Sequence, residues 1–343
     1  MAKPTKTKSG KWRVRVYLGK NENGTKKYKS ITCDTKKECE YEQSKFLVEN
    51  NGIKGSEIDN MFITDLVKEY IDLKKGSLSP NTIRGYLTIY RNQAQLLNRV
   101  TVSSFDKTLH QRWIDCISSD VSPKTVRNAD GLIIASLNHY GISVPKVKLP
   151  QKEYKEMHIP TTADVKAIIN YFSKTNNKEM VKAVYLASTG TLRRGEVCAL
   201  LGEDVDFENN TIFVHRSVAT DDKGNQIIKG PKTESSNRKI EMPSFIIQMF
   251  PKTGNVVNLT LRQISRQFAK CVKELGLQKC SFHSLRHYSA SIMHAQNIPE
   301  EYIMQRGGWK SSSTLNRIYR NTLDDYEKKF IKQTNEFFED MLK

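Results

Sequence analysis

Several things are missing from this chain, and each absence removes a class of explanation. No apolar run in its 343 residues approaches the ~18 residues that a membrane-spanning helix needs. The amino terminus, MAKPTKTKSGKW, is basic, but no apolar stretch follows it, so it does not read as a secretory leader and a cytoplasmic location is expected. The six cysteines (Cys33, Cys39, Cys116, Cys198, Cys271, Cys280) are scattered without a CxxC pair. That argues against a disulfide framework or a zinc module and for reduced thiols. Acidic residues are in short supply: 37 Asp and Glu stand against 55 Lys and Arg, a formal charge of +18. Apolar residues are not, at 38%, so the chain can build real cores and wholesale disorder is excluded. A surface with this excess seeks polyanions, nucleic acid above all, although a merely soluble basic protein has the same composition.

The length suggests two domains or more. Half of the charge excess sits in residues 1–30, where ten basic residues face the single acid Glu22. Within it, KWRVRVYLGK alternates apolar and basic side chains with a period of two, the pattern of a half-buried strand. An Asn-Gly turn signal and a second strand follow, then a helix over 35–49. Residues 1–55 thus read as a small sheet with one helix, its open face basic. Lys11, Arg13, Arg15 and Lys27, interleaved with Trp12, Tyr17 and Tyr28, are its candidate DNA contacts, since a narrow sheet can enter the major groove. The polar stretch 50–57, with two glycines, reads as a linker.

Residues 60–145 read as a helical domain, with Phe62, Leu66, Tyr70 and Leu73 at helical spacing. A local echo runs through it, Ser79-Pro80-Asn81-Thr82-Ile83-Arg84 and Ser122-Pro123-Lys124-Thr125-Val126-Arg127. In both, Ser is placed as cap and Pro as the first helical residue, which is also ordinary helix-start chemistry. Thr82, Arg84, Thr125 and Arg127 then fall near helix N-termini, where anions are favoured, and are candidate phosphate contacts. Residues 146–160, in a proline-bearing stretch, read as an extended connection. Residues 161–343 form a third domain: helices, then strand signals at Thr211–Val214, Gln226–Ile228 and Arg238–Met242, then helices to the end. The fold class is therefore multidomain α+β, without the alternation of a doubly wound sheet.

Four pieces of the last domain suit a single reaction. They are Ser188-Thr189-Gly190-Thr191-Leu192-Arg193-Arg194-Gly195-Glu196; Gly230-Pro231-Lys232-Thr233; His283-Ser284-Leu285-Arg286-His287; and Gly307-Gly308-Trp309 followed by Tyr319. Transfer at a phosphodiester without a metal needs other positive charge, and two guanidiniums supply it, bidentate and always charged. His283 and His287 have the i, i+4 spacing of a metal pair, but no third ligand and no H-E-x-x-H glutamate accompany them. No metal and no other cofactor is expected.

These pieces and their order resemble the tyrosine recombinases, the phage-integrase type of site-specific DNA recombinase. The resemblance extends forward: the SPNTIRGY region is similar to the family's helical core-site-binding domain, and the first ~50 residues to its small arm-site-binding sheet domain. It implies that Arg193 and Arg286 hold the phosphate, Tyr319 is the nucleophile, Lys232 protonates the departing 5′ oxygen, His283 handles protons or bonds the phosphate, and Trp309 donates its indole N–H. Glu196 and His287 would support the site. It also implies double-stranded DNA as partner, a homotetramer on two DNA sites coupled by exchange of the C-terminal helix, and a DNA-bending or excisionase accessory protein. Phe330, Phe337, Phe338 and Met341 would be that helix's apolar stripe, which otherwise docks on its own domain.

Alternatives stay open. ThrGlyThrLeuArg carries one residue more than the family's usual ThrGly-x-Arg, Lys232 sits near Lys229 and Lys239, and Tyr319 competes with Tyr302 and Tyr326. A type IB topoisomerase would use the same tyrosine chemistry, and a non-catalytic DNA-binding regulator could use the same scaffold.

Overall fold

A computed structural model describes residues 4–7, 9–20, 26–144, 146–152, 158–230, 237–319, 331–332, 334–336, 338–339 and 341; at 17–20, 26–27, 47–57, 314 and 317–319 it describes the backbone alone. The chain divides into two compact units, Met1–Leu78 with Gly85–Lys152, and Ser79–Arg84 with Glu153–Lys343.

The first unit opens with a three-stranded antiparallel sheet in the order β1 (Thr5–Lys6), β2 (Trp12–Lys20), β3 (Lys26–Cys33). The alternation read in β2 is the alternation found: Val14 and Val16 are buried while Arg13 and Arg15 are exposed. Helix α1 (Lys36–Asp59) starts on the Thr35 cap, whose hydroxyl accepts from Glu38 N, and covers one face of the sheet. The expectation of a linker at 50–57 is corrected here, because α1 runs through it to Asp59. Each glycine costs a helix only ~1 kcal/mol relative to alanine, which 24 helical residues can absorb.

Helices α2 (Ile63–Lys74), α3 (Pro80–Asn92), α4 (Lys107–Ser118) and α5 (Pro123–His139) follow. The apolar stripe of α2 is shifted from the one read in the sequence. Leu66 and Tyr70 are buried as expected, but Phe62 and Leu73 are exposed, and Ile63, Val67 and Ile71 take the inward places. A stripe of i, i+3, i+4 and i+7 is wider than a single three-to-four-residue row, so two registers were available to the same segment. Trp113 closes this core and donates its indole N–H to Gln93 O at 3.1 Å.

The second unit carries α6 (Thr162–Lys174), α7 (Lys178–Ser188), α8 (Arg194–Ala199), β4 (Val205–Asp206), β5 (Thr211–Val214), β6 (Ser217–Thr220), β7 (Gln226–Lys229), β8 (Arg238–Glu241), α9 (Ser244–Ile247), α10 (Leu261–Glu274), α11 (Ser284–Ala295), α12 (Glu300–Gly307) and α13 (Ser312–Tyr319). Strands β4, β5 and β8 form one antiparallel sheet, and β6 and β7 a hairpin. The three strands read in the sequence are present; β4 and β6, of two and four residues, were not foreseen. A core of Ile168, Met180, Leu186, Ile212, Ile240, Ile264, Phe268 and Leu285 fastens the helices to the sheet. A smaller cluster of Ile159, Ala290, Ile303 and Leu315 holds α11, α12 and α13 together.

The close approach of α8 to β6 depends on one glycine. A methyl at Gly195 would lie 2.5 Å from Ser217 Oγ and 2.6 Å from Val218 O. Gly195→Ala should therefore push α8 off the hairpin at a cost of ~1–3 kcal/mol. The measurable consequence is a lowered thermal midpoint, and an unchanged midpoint would show that the backbones do not meet there.

Candidate active site

Box by box, the second unit brings several of the predicted residues to one place. Arg193 caps the start of α8 in extended backbone, and its N–H donates to Glu196 Oε2 at 2.9 Å. Its guanidinium donates through Nη1 to Glu196 Oε1 at 2.7 Å and through Nη2 to Gly308 O at 2.8 Å. The extra residue in ThrGlyThrLeuArg is accommodated by Thr191. That residue is fully buried and holds a left-handed φ of 58°, while its hydroxyl bonds Arg306 O at 3.1 Å. A β-branched residue in that region stores strain of ~1–3 kcal/mol, which the surrounding contacts must hold.

Arg286, on α11, is 1% exposed. It donates to Thr191 O through Nη1 and to Gly307 O through Nη2. The indole of Trp309 lies over it, 3.9 Å from guanidinium carbon to ring centre. Burial first, then the charge of Arg193, pull its pKa below the ordinary guanidinium value, so these two carbonyls and the aromatic face oppose a real cost. Trp309 can lie there because residue 307 has no side chain. A methyl at Gly307 would fall 1.8 Å from the indole ring.

Two residues that sequence reasoning did not single out complete the cluster. Arg238 of β8, its side chain 3% exposed, pairs Nη2 with Glu196 Oε2 at 2.8 Å and Nη1 with Oε1 at 3.3 Å. Its Nε donates to Arg306 O at 2.8 Å. Arg306 sends its own guanidinium away, to Thr189 O and Glu241 O. The three consecutive carbonyls of Arg306, Gly307 and Gly308, ending α12, thus accept from Arg238, Arg286 and Arg193 in turn. A helix C-terminus presents unsatisfied carbonyls and the negative end of its dipole, so it is a natural cradle for cations. The signal for Arg238 lay in the strand pattern: Arg238 and Ile240 take the two inward places of RKIE, and an inward arginine needs a partner.

Glu196 lies between Arg193 and Arg238. Burial would raise its carboxyl, but the hydrogen bonds from Arg238, then the charges of Arg238 and Arg193, overcome it and hold the pKa at about 2. A carboxyl lowered from an unfolded value of 4.5 to about 2 stabilises the fold fully above pH 4.5, by roughly 3 kcal/mol, and loses that contribution as pH falls from 4.5 through 2. The urea midpoint should fall over that interval in the wild type, and less steeply in Glu196→Gln; equal slopes would show that Glu196 carries no such linkage.

His283 precedes α11, its ring set edge-on to buried His287 at 4.7 Å between centres. Desolvation by the packing around it, then the charges of Arg286 and Arg193, push its pKa down to about 4. A pKa that low leaves the imidazole neutral at physiological pH and a weak base, suited to hydrogen bonding. Tyr319 ends α13, and its phenol lies outside the described side chains; Lys232 lies outside the described residues.

In the first unit Arg13 and Arg15 share the sheet face opposite α1 with Thr32 and Ser30 as cross-strand neighbours, and Arg15 lies over the exposed Tyr28 ring at 5.7 Å. Lys11 pairs with Asp34 at 3.0 Å, and the side chain of Lys27 is outside the described set. The two Ser-Pro starts have the same geometry. Ser79 and Ser122 accept from Thr82 N at 3.3 Å and Thr125 N at 3.4 Å, and each serine also bonds its threonine's hydroxyl. Arg127 donates to Pro150 O at 2.7 Å, which ties the connecting segment to α5. Arg84 lies in the first turns of α3.

Two guanidiniums sharing neighbouring carbonyls, a carboxylate between two arginines and an imidazole at the start of α11 are the order and kinds of group expected of a tyrosine recombinase. Residues 160–325 match the model of the phage integrase family. A tyrosine recombinase XerC-like protein of Caldanaerobacter subterraneus subsp. tengcongensis is 25% identical over 394 residues, covering 98% of this chain and 100% of that protein. The Tn1549 transposon integrase, solved with a circular intermediate DNA, superposes with a TM-score of 0.66 at 18% identity, over 80% of this chain and 99% of that one. A lambda integrase tetramer bound to a Holliday junction gives 0.60 at 12% identity, over 93% and 95%. These two structures share the fold.

Proposed function

We propose that this chain cuts and rejoins duplex DNA at specific sites through a covalent 3′-phosphotyrosine at Tyr319 and a Holliday junction, integrating or excising a phage or other mobile element. The observation that carries this reading is the convergence of Arg193 and Arg286 on adjacent carbonyls of the turn that leads into the tyrosine-bearing helix. In the proposed step the Tyr319 oxygen attacks phosphorus, the Tyr–O–P bond forms and the P–O5′ bond breaks. Arg193 and Arg286 neutralise the nonbridging oxygens as charge builds on them. The indole of Trp309 moves off the Arg286 face and donates its N–H to the phosphate. Neutral His283 takes the phenolic proton or bonds the phosphate, and Lys232 protonates the 5′ oxygen. The phosphotyrosine retains the bond energy, so a 5′ hydroxyl of a second strand reverses the step without ATP. Glu196 and His287 hold the arginine and imidazole geometry.

Residues 1–55 would bind arm sites through Lys11, Arg13, Arg15 and Lys27, and residues 60–145 the core site through Thr82, Arg84, Thr125 and Arg127, with 146–160 as the connection to the catalytic domain 161–343. Phe338 and Met341 are 49% and 59% exposed, which supports docking of the C-terminal helix on a neighbouring protomer of a tetramer; Phe330 and Phe337 lie outside the described residues. A DNA-bending or excisionase protein would set direction. A cytoplasmic location follows from this reading.

The test is a duplex carrying the junction sequence that flanks the gene, nicked beside the cleavage point to trap the intermediate. A denaturing gel should show a protein–DNA adduct in EDTA, with the modified peptide containing Tyr319. Adduct that vanishes in EDTA would overturn the reading. Binding without adduct would make the protein a regulator, and relaxation of a plasmid lacking the junction would make it a topoisomerase.

A further inference from the structure

We propose that Arg238 is a positioning residue for strand cleavage: it touches no DNA, and it fixes the reach of Arg193 by clamping Glu196 from one side and the carbonyl of Arg306 from the other. The inference rests on the recombinase reading above and assigns a role to a residue that reading does not use.

Geometry carries it. Among the described residues, Arg238 is one of few charged side chains that are buried, 3% exposed, and its bonds inside the protein, rather than its burial, set it apart from Arg286. All three of its nitrogens are committed, Nη1 and Nη2 to the two oxygens of Glu196 and Nε to Arg306 O. Glu196 in turn uses Oε1 for Arg193 Nη1 and Oε2 for Arg193 N–H. The same carboxylate therefore sets both the backbone and the guanidinium of Arg193. The second grip matters as much. Arg306 O, Gly307 O and Gly308 O are successive, so holding the first fixes the register of the two that receive Arg286 and Arg193. Gly308 is left-handed at φ 64°, and a methyl there would lie 3.4 Å from Arg238 Nη1, in contact with the clamp. A planar fork with donors on two edges can do this; an ammonium cannot span both partners.

The charged groups acting on Glu196 are Arg238 from β8 and Arg193 from its own helix start, and Glu196 acts in return on His283 and Arg286 from the start of α11. With Arg238 gone, burial would act against a single remaining cation. The Glu196 carboxyl should then climb toward or above the ordinary range, and Arg193 would be held only while Glu196 is ionised.

The experiment compares wild type, Arg238→Met, Arg238→Lys and Arg238→Met/Glu196→Gln as full-length chains, on the nicked junction duplex at saturating concentration. Arg238→Met should keep the half-saturating DNA concentration within about twofold. It should lose about 100-fold in the rate of adduct formation, the scale of a small misplacement of a reacting group. Its rate should fall further between pH 7 and 5, where the wild type is flat, and the double variant should lose that pH dependence. Arg238→Lys, which keeps the charge and misses one grip, should fall between. Wild-type rate in Arg238→Met, or a loss that is pH-independent and shared by all variants, would overturn the proposal. Titration of carbon-13-labelled Glu196 by NMR gives a reading without DNA: an unmoved carboxyl in Arg238→Met would also overturn it. If the wild type forms no adduct, the recombinase reading fails while the NMR titration still decides whether Arg238 clamps Glu196.

Discussion

Tyr319→Phe is expected to bind junction DNA with wild-type affinity and to yield no covalent protein–DNA adduct. The substitution removes one oxygen and keeps the ring, so α13 should stay seated through Leu315 against Ala290 and Ile303. What disappears is the oxygen proposed as nucleophile, without which the Tyr–O–P bond of the proposed step cannot form. Two other tyrosines compete for the role. Tyr302 lies on α12 before Trp309, is 49% exposed and accepts from Arg306 Nη1 at 3.5 Å, which places it on the outer side of the arginine cluster. Tyr326 is outside the described residues. Tyr302→Phe should therefore form adduct at the wild-type rate. An adduct from Tyr319→Phe on a denaturing gel would reassign the nucleophile.

Arg286→Ala should lose about 10³–10⁵ in the cleavage rate, the scale seen when an arginine is taken from a phosphoryl-transfer site. DNA binding should stay within a few-fold. A side chain 1% exposed contributes little to the long-range attraction of a polyanion, which the exposed cations supply. Stability should fall as well. Truncation leaves Thr191 O and Gly307 O without their guanidinium donors and opens a space beneath the Trp309 ring, at ~1–3 kcal/mol for unsatisfied buried groups. Arg286→Lys separates the two effects. It keeps a cation and fills much of the space, yet one ammonium cannot match a planar fork. Its thermal midpoint should lie nearer the wild type while single-turnover cleavage remains reduced at least 10²-fold, as for removal of one transition-state donor. Cleavage by Arg286→Lys within tenfold of wild type would show that guanidinium geometry is not what the site requires.

Local features were legible before the fold was known. The period-two alternation of KWRVRVYLGK gave a strand with Val14 and Val16 inward because side chains of a strand must alternate between faces. The Ser-Pro starts at 79 and 122 were readable because a cap is made within four residues. The expected linker at 50–57 is helix instead, since polar residues and two glycines suit a loop and an exposed helix alike, and continuation from the capped start at Thr35 decides between them. The stripe of α2 differs because two adjacent rows of apolar residues are on offer, and only the neighbouring helices choose between them.

The amino-acid order alone showed which side chains are available here: a strongly basic chain with arginines, a histidine and a tyrosine in a recognisable succession. It could not show that Arg193, Arg238 and Arg286 meet on three neighbouring carbonyls at 306–308, or that Arg306 turns away. Those groups lie dozens of residues apart along the chain, and burial, which sets whether a charge is costly, held or free to move, exists only once helices and strands have packed.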